Sequence, residues 1–392
     1  MSKKTPPTAQ KPDTILVHAG RHPEDFHGFV NPPVVHASTV LFPDTAHMAP
    51  GAQKYNYARR GNPTTDALEE ALMALEGAAG VKLATSGLNA VSLACLSCLK
   101  TGDHFLVADT VYGPTRHFCD TVLPRYGITV EYYRPDLGGA IRSLFRPNTA
   151  AVFTEAPGSL TFEMQDIPAI AAAAKETGAF VLMDNTWATP LYFKPIAHGV
   201  DLSIQAGTKY IVGHSDVTIG TIAASARALP GLLELHGAMG VHIAPDDVYL
   251  ALRGLRTMGI RLERHQQTTL AIADWLAQHP KIARIRYPAW KDDPGHAIWA
   301  RDFSGASGLF GFDFTPNVSK AEASAFLDAL RLFGLGYSWG GFESLAIPVK
   351  LAGVRSAGTP LPEGESVRLN IGLEDPADLI EDLSRGFAAI GN

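Results

Sequence analysis

The chain has 392 residues, of which 46% are hydrophobic and 18% charged, with a formal net charge of −6. That length exceeds one ordinary hydrophobic core, so a large domain plus a smaller one is expected, and the composition argues against disorder. The acidic balance offers no basic field for nucleic acid, and no apolar run approaches the ~20 residues that span a bilayer, so neither partner is expected.

Residues 1–56 carry eight prolines (Pro6, Pro7, Pro12, Pro23, Pro32, Pro33, Pro43 and Pro50) and little periodicity. This reads as an extended arm lying on something else. Met1 to Asp13 is polar, without the apolar stretch of a secretory signal. The three cysteines (Cys95, Cys98, Cys119) are too few for a disulfide framework, so the cytoplasm is the expected location. At the end of the arm, Tyr57 and Arg59 are two apart. On an extended segment both would point to one side, as a phosphate clamp or as a solvated surface turn.

From Pro63 the pattern changes. Thr65, Asp66 and Glu69 suggest a helix start, Leu68, Leu72, Met73 and Leu75 give its apolar face, and Gly77 closes it. Short apolar strands then alternate with helices. Strands are expected over 81–84, 105–108, 128–132, 151–154, 180–183 and 202–204, with 218–223 closing the series, and helices over 88–99, 115–123 and 167–177. Such alternation predicts an α/β domain with a mostly parallel sheet, whose ligands sit at the carboxyl ends of the strands.

Several chemically suggestive residues fall at those ends. Thr85-Ser86-Gly87-Leu88 joins a strand to a helix, where small residues let amides approach a phosphate, although a tight turn accounts for Gly87 equally well. The CxxC of Cys95 and Cys98 lies inside an Ala/Leu-rich helix and reads as core; a metal site is not expected. Tyr112 follows a strand and suits either stacking on a flat ring or core packing. Asp184 ends the apolar run 180–183, as a turn cap or as a counter-ion. Thr208 and Lys209 follow Ser203-Ile204-Gln205-Ala206-Gly207. A lysine just past a buried strand costs desolvation unless it has a task, and Schiff-base formation with a carbonyl compound is one.

A long helix over 249–277 leads into a second unit mixing strands (283–287, 308–314, 366–371) with helices (320–330, 375–390), the first capped by Ser319. The resulting division is an arm (1–58), an α/β domain (59–245) and a smaller α+β domain (246–392). Arg368, in an alternating strand, suits a substrate α-carboxylate or a strand-edge ion pair.

Taken together, Tyr57-Ala-Arg59-Arg-Gly-Asn-Pro-Thr64, Thr85-Ser-Gly87, Asp184-Asn-Thr-Trp187, Thr208-Lys209-Tyr-Ile-Val-Gly-His-Ser-Asp216, Ser338-Trp-Gly-Gly-Phe-Glu-Ser-Leu345 and Val367-Arg368-Leu-Asn-Ile-Gly-Leu-Glu-Asp375 resemble the pyridoxal-phosphate-dependent trans-sulfuration enzymes of cysteine and methionine metabolism. Ser203-Ile-Gln-Ala206, Gly305-Ala-Ser-Gly-Leu-Phe310 and Tyr337-Ser-Trp339 are similar to the β-lyase branch; γ-acting members carry a glutamate where Tyr337 stands. Ala206 departs from the wider family, many members of which have a phosphate-binding serine there, but is in keeping with that branch.

The resemblance implies a type I aminotransferase-like fold and a homotetramer, a dimer of dimers with shared active sites. It implies that residues 59–245 bind pyridoxal 5′-phosphate through Lys209, with Asp184 on the ring nitrogen and Tyr112 stacked and available for proton transfer. Gly87, Leu88 and Thr208, with Tyr57 and Arg59 of the partner subunit, would hold the phosphate. Arg368, Ser338, Trp339, Tyr337 and Tyr57 would bind an amino-acid substrate. The implied reaction is β-cleavage of L-cystathionine; the alternatives are cystine or cysteine β-cleavage, a γ-acting reaction, a non-catalytic regulator on the same fold, or a redox role for Cys95 and Cys98.

Overall fold

In the computed structural model, which describes residues 10–351, 355–358 and 362–390, the arm contributes one short helix, α1 (Pro12–His18). Pro6 and Pro7 lie outside the described residues. Leu16 of α1 is buried, and Arg256 Nη1 donates to its carbonyl at 2.6 Å and to that of Ala19 at 2.9 Å, tying the arm to the body. The rest of the arm leaves Phe29, Val30, Leu41 and Met48 exposed.

The next helix, α2 (Pro63–Glu76), starts two residues before the expected cap. Asn62 accepts the amides of Thr64 and Thr65, and Pro63 takes the first helical position, where its missing N–H costs nothing. Gly77 ends the helix at φ +67°, as expected. Then follow β1 (Gly80–Ala84), α3 (Gly87–Cys98), β2 (His104–Ala108), α4 (Gly113–Thr121), β3 (Thr129–Tyr133), β4 (Thr149–Glu155), α5 (Ile167–Thr177), β5 (Phe180–Asp184), α6 (Thr189–Tyr192), β6 (Leu202–Gln205), β7 (Gly220–Ala224) and α7 (Leu229–Ala238).

These seven strands form one sheet in the order β1-β7-β6-β5-β4-β2-β3. Five run parallel as neighbours from β3 to β6; the centres of β2, β4, β5 and β6 are buried, which is why they read as continuous apolar runs, while β3 at the edge is only partly covered. β7 does not close the sheet at an edge. It inserts between β1 and β6, antiparallel to both, so the connection from β6 to β7 is a loop at the carboxyl edge.

The expected single helix over 249–277 is two, α8 (Pro245–Leu255) and α9 (Met258–Leu276). The break follows Gly254, whose position leaves no room for a side chain: a Cβ would lie 2.2 Å from the Val212 carbonyl oxygen and 2.5 Å from that of Ile211. Arg256, at the bend, is the residue that reaches back to α1. The remaining elements are β8 (Ile282–Arg286), α10 (His296–Asp302), β9 (Leu309–Phe314), α11 (Lys320–Asp328), β10 (Gly334–Leu335), β11 (Leu345–Val349), β12 (Ser366–Asn370) and α12 (Pro376–Ala388). Ser319 caps α11 in a reciprocal box with Glu322. The second sheet runs β10-β11-β12-β9-β8, and Phe312 and Phe314 of β9 pack against Phe326 of α11 and Phe387 of α12. Among the described residues no helix is long and apolar enough to cross a membrane.

Candidate active site

The carboxyl edge of the seven-stranded sheet gathers the chemistry. Gly87 follows β1, Tyr112 follows β2, Asp184 ends β5, and Lys209 follows β6. Asp184 Oδ1 accepts the Thr186 amide at 2.9 Å and the Thr186 hydroxyl at 2.5 Å. Burial raises its pKa, against the lowering effects of Thr186 and of the Lys209 charge. The turn reading of Asp184 holds, made by one oxygen, and the carboxylate lies within electrostatic reach of Lys209.

Lys209 sits in the β6–β7 loop, whose shape is set by its own backbone. Lys209 N donates to Ala206 O at 3.0 Å, Val212 N to Gly207 O at 2.9 Å, and Gly213 N to Lys209 O at 2.7 Å. The following residue, Tyr210, is buried against Trp339, with ring centroids 5.6 Å apart. Its carbonyl accepts Arg261 Nη2 at 2.8 Å. Lys209 Nζ donates to Ser338 Oγ at 2.8 Å and stands 5.3 Å from the Trp339 ring centroid. Desolvation first, then the charge of Arg368, lowers its pKa to about 8, with Asp184 opposing. A half-buried amine that is partly neutral near physiological pH is a nucleophile and a base, which a fully exposed lysine is not.

Arg368 is not on a strand edge. β12 lies between β11 and β9, and Arg368 is 8% exposed. Its Nη2 donates to the carbonyls of Tyr337 at 2.8 Å and Ser338 at 3.2 Å, and its buried Nε has no partner. Among the described residues no carboxylate pairs with it, so the ion-pair alternative falls. Burial lowers its pKa to about 10, still cationic at neutral pH. Arg368 Nη2 therefore holds the loop carrying Tyr337, Ser338 and Trp339, and Gly340 (φ +80°) lets that loop pack against Lys209, since a Cβ there would lie 3.0 Å from Lys209 Cβ and 3.1 Å from its Cα. Tyr337 itself points outward, 89% exposed.

The turn at α3 is shaped for a small residue: a Cβ on Gly87 would lie 2.5 Å from Ala206 Cβ and 2.9 Å from Ala206 Cα. Ser86 caps the helix by accepting the Asn89 amide at 3.1 Å, and the first amides of α3, those of Gly87 and Leu88, have no intrahelical partner. Thr208 hydroxyl donates to Ile219 O at 3.2 Å and accepts Ile219 N at 2.9 Å, so its proton is directed at the loop backbone. Tyr112 caps α4 without using its side chain and is half exposed, which removes the core-packing reading.

Tyr57 and Arg59 depart from expectation in one respect. Tyr57 is extended, but Ala58–Arg60 form a 3₁₀ turn, so the pair does not alternate along one strand. Within the chain Arg59 lines a hollow with His236 and Lys82 and donates to Gly237 O at 3.4 Å. Neither residue is brought to Lys209 by its own chain.

Three residues escaped the sequence reading. Thr186 bridges Asp184 to the amide of Ala206 (2.9 Å), linking β5 to the Lys209 loop. Arg261, on α9, clamps that loop from behind. Glu155 ends β4 beside Asp184, and the signal that singled out Asp184, an acid closing an apolar strand, applied to it equally. The cysteines, by contrast, behave as core: burial pushes all three thiols up, leaving no reactive thiolate.

A lysine on the loop after a buried strand, an acid at the neighbouring strand end and an arginine from a second sheet define the class. The chain belongs to the Cys/Met metabolism PLP-dependent enzymes, whose family matches residues 13–388. It is 58% identical to a putative cystathionine beta-lyase of Rhizobium johnstonii, over 96% of both chains. It is 43% identical to the cystathionine beta-lyase of Salmonella typhimurium, over 98% of this chain and 100% of that one. The crystal structure of cystathionine gamma synthase from Xanthomonas oryzae pv. oryzae superposes with a TM-score of 0.89 at 32% identity, covering 98% of this chain and 99% of that one.

The cofactor of this family is pyridoxal 5′-phosphate, and the donor set fits it. An amine near neutrality suits its aldehyde, a recessed carboxylate suits a protonated ring nitrogen, and amides at a helix start suit its phosphate.

Proposed function

We propose that this protein is a carbon–sulfur β-lyase that cleaves L-cystathionine to L-homocysteine, pyruvate and ammonia. The observation that carries the reading is the convergence on Lys209: Ser338 Oγ at 2.8 Å, with the Arg368 cation and the Asp184 carboxylate both within electrostatic reach. The relatives named as cystathionine beta-lyases support the substrate.

Lys209 would hold the cofactor covalently, Asp184 would pair with its ring nitrogen, and the amides of Gly87 and Leu88 would meet its phosphate, with Thr208 shaping the adjoining loop. When bound, pyridoxal phosphate supplies an electron sink that stabilises negative charge at the substrate Cα. Arg368 receives the substrate α-carboxylate, with Ser338 and Trp339 beside it and Tyr337 at the rim. Tyr112 would stack over the ring with its phenol, kept protonated by its raised pKa, beside the incoming substrate amine. The Lys209 amine, kept directed by Ser338, would remove the Cα proton as the homocysteine thiolate leaves from Cβ, and one water would hydrolyse the remaining three-carbon fragment to pyruvate and ammonia.

The active form is read as a homotetramer, a dimer of dimers, in which Tyr57 of the partner subunit and Arg59 of the partner subunit complete the phosphate site. Support comes from the half-exposed Tyr57 and the apolar side chains that the arm leaves uncovered. A cytoplasmic location suits three free cysteines in a chain without disulfides.

Product identification with L-cystathionine as sole substrate tests the reading. Pyruvate with homocysteine is the expected result. 2-Oxobutyrate would mean γ-cleavage, and cofactor binding without turnover would point to a regulator. The phosphate turn makes a separate prediction: Gly87→Ala forces a methyl against Ala206, an overpacking cost of about 1–3 kcal/mol. Fluorescence titration of the apoprotein should show cofactor affinity weakened about 10-fold; unchanged affinity would remove Gly87 from the site.

A further inference from the structure

Glu155 takes no part in the steps above, yet it stands among the residues that do. It ends β4 in register with Asp184 at the end of β5. Neighbouring strands lie about 4.8 Å apart and residues in parallel register face the same side, so both carboxyls rise together from one edge of the sheet. Glu155 Oε2 accepts the amide of Tyr112 at 2.8 Å. Its main-chain oxygen accepts Gln165 Nε2 at 2.6 Å, and Gln165 is in turn fixed by the buried Tyr133 hydroxyl at 2.8 Å. The acid is therefore rigidly placed, with main-chain amides and no cation as its partners among the described residues.

Two carboxylates this close in a recessed site do not both stay ionised. Asp184 is the better anion, because Thr186 gives it a hydroxyl and an amide and Lys209 attracts it. Burial, then the Asp184 charge, pushes Glu155 well above the usual carboxylate range. The remaining groups facing the pair act on it weakly. The Tyr112 phenol is itself raised by burial and both acids, and Arg368 opposes that rise.

We propose that Glu155 is a positioning residue: as the uncharged acid beside Asp184, it seats the amide of Tyr112 and leaves Asp184 the only anion at the cofactor ring nitrogen. This presupposes the cofactor site described above. A second negative charge at this edge would compete for the ring proton, and a missing acceptor would free the start of α4 and with it the phenol.

Glu155→Gln and Glu155→Ala separate these contributions. Glutamine is neutral and keeps an acceptor oxygen, so it should preserve cofactor affinity of the apoprotein, kcat/KM and the pH profile. Alanine removes the acceptor; kcat should fall by up to about 100-fold as Tyr112 shifts, and cofactor affinity should weaken. Independently of the cofactor, the infrared difference between wild-type and Glu155→Gln apoprotein at neutral pH should contain the carbonyl band of a protonated carboxylic acid. Glu69 and Glu76, both pushed up to about 7, contribute equally to the two proteins and cancel.

Absence of that band, a glutamine variant as impaired as the alanine one, or an alanine variant indistinguishable from wild type would each overturn the proposal. If alanine prevents folding, the infrared band and the glutamine variant still decide. A wild-type protein that binds no pyridoxal phosphate would instead remove the underlying site while leaving the infrared result to stand by itself.

Discussion

Lys209→Ala protein is expected to lose the visible absorbance of the covalently held cofactor and to release no measurable pyruvate from L-cystathionine. Loss of a positioned base alone costs about 10²- to 10⁴-fold, and here the covalent anchor goes with it. A yellow, fully active variant would sink the assignment. The same burial that activates Lys209 has a thermodynamic signature in the apoprotein. Its folded pKa is about 8 against an ordinary 10.5. Between those values the unfolded chain binds more protons than the folded one, so stability rises with pH across that window. Below about pH 8 both states are protonated and the full cost of the buried ammonium is present. Lys209→Met apoprotein should therefore have a higher urea midpoint than wild type at pH 7, with the advantage fading as the pH rises from about 8 towards 10.5 and gone above it. An advantage that grew with pH would contradict the depressed pKa.

Replacing Arg368 should produce the second largest effect, read mainly in KM. Its Nη2 is committed to the carbonyls of Tyr337 and Ser338, and its Nε is buried without a partner. A substrate carboxylate is the partner proposed for it. Removing one side of a desolvated, hydrogen-bonded charge pair costs about 2–5 kcal/mol, which is about 30- to 4000-fold in kcat/KM. Arg368→Lys keeps the charge but loses the planar fork, so it should recover only part of that loss. The cofactor band should survive in both variants, because nothing in the proposed cofactor contacts involves Arg368. A variant with normal KM would mean that the carboxylate binds elsewhere.

Much of the site was legible because its signals are local. Lys209 and Asp184 stand out as charges closing apolar strands, where desolvation demands a reason for them. Gly87 stands out in a strand-to-helix turn, and the structure supplies the reason: Ala206 leaves no space for a Cβ. What was not legible depended on contacts between distant segments. Arg368 read as a possible strand-edge residue, since nothing near it in the chain shows that β11 and β9 flank its strand. The break between α8 and α9 was hidden for the same reason, because Gly254 is required by the backbone of Ile211 and Val212 and not by its helix. Thr186 and Arg261 are ordinary residues until the Lys209 loop is folded against them.

The sequence by itself determined the α/β alternation, the order in which strand ends present Gly87, Tyr112, Asp184 and Lys209, and the family the chain belongs to, because hydrophobic period and strand-end chemistry act over a few residues. Only the tertiary structure decided which ends are neighbours. It placed β7 between β1 and β6, making the Lys209 segment a loop at the carboxyl edge, and brought Ser338 from the second sheet's side to within 2.8 Å of Lys209 Nζ. It also set Glu155 in register with Asp184, making neighbours of two strand-end acids. Strand order and register are fixed by burying both faces of a sheet at once, and that condition involves the whole chain.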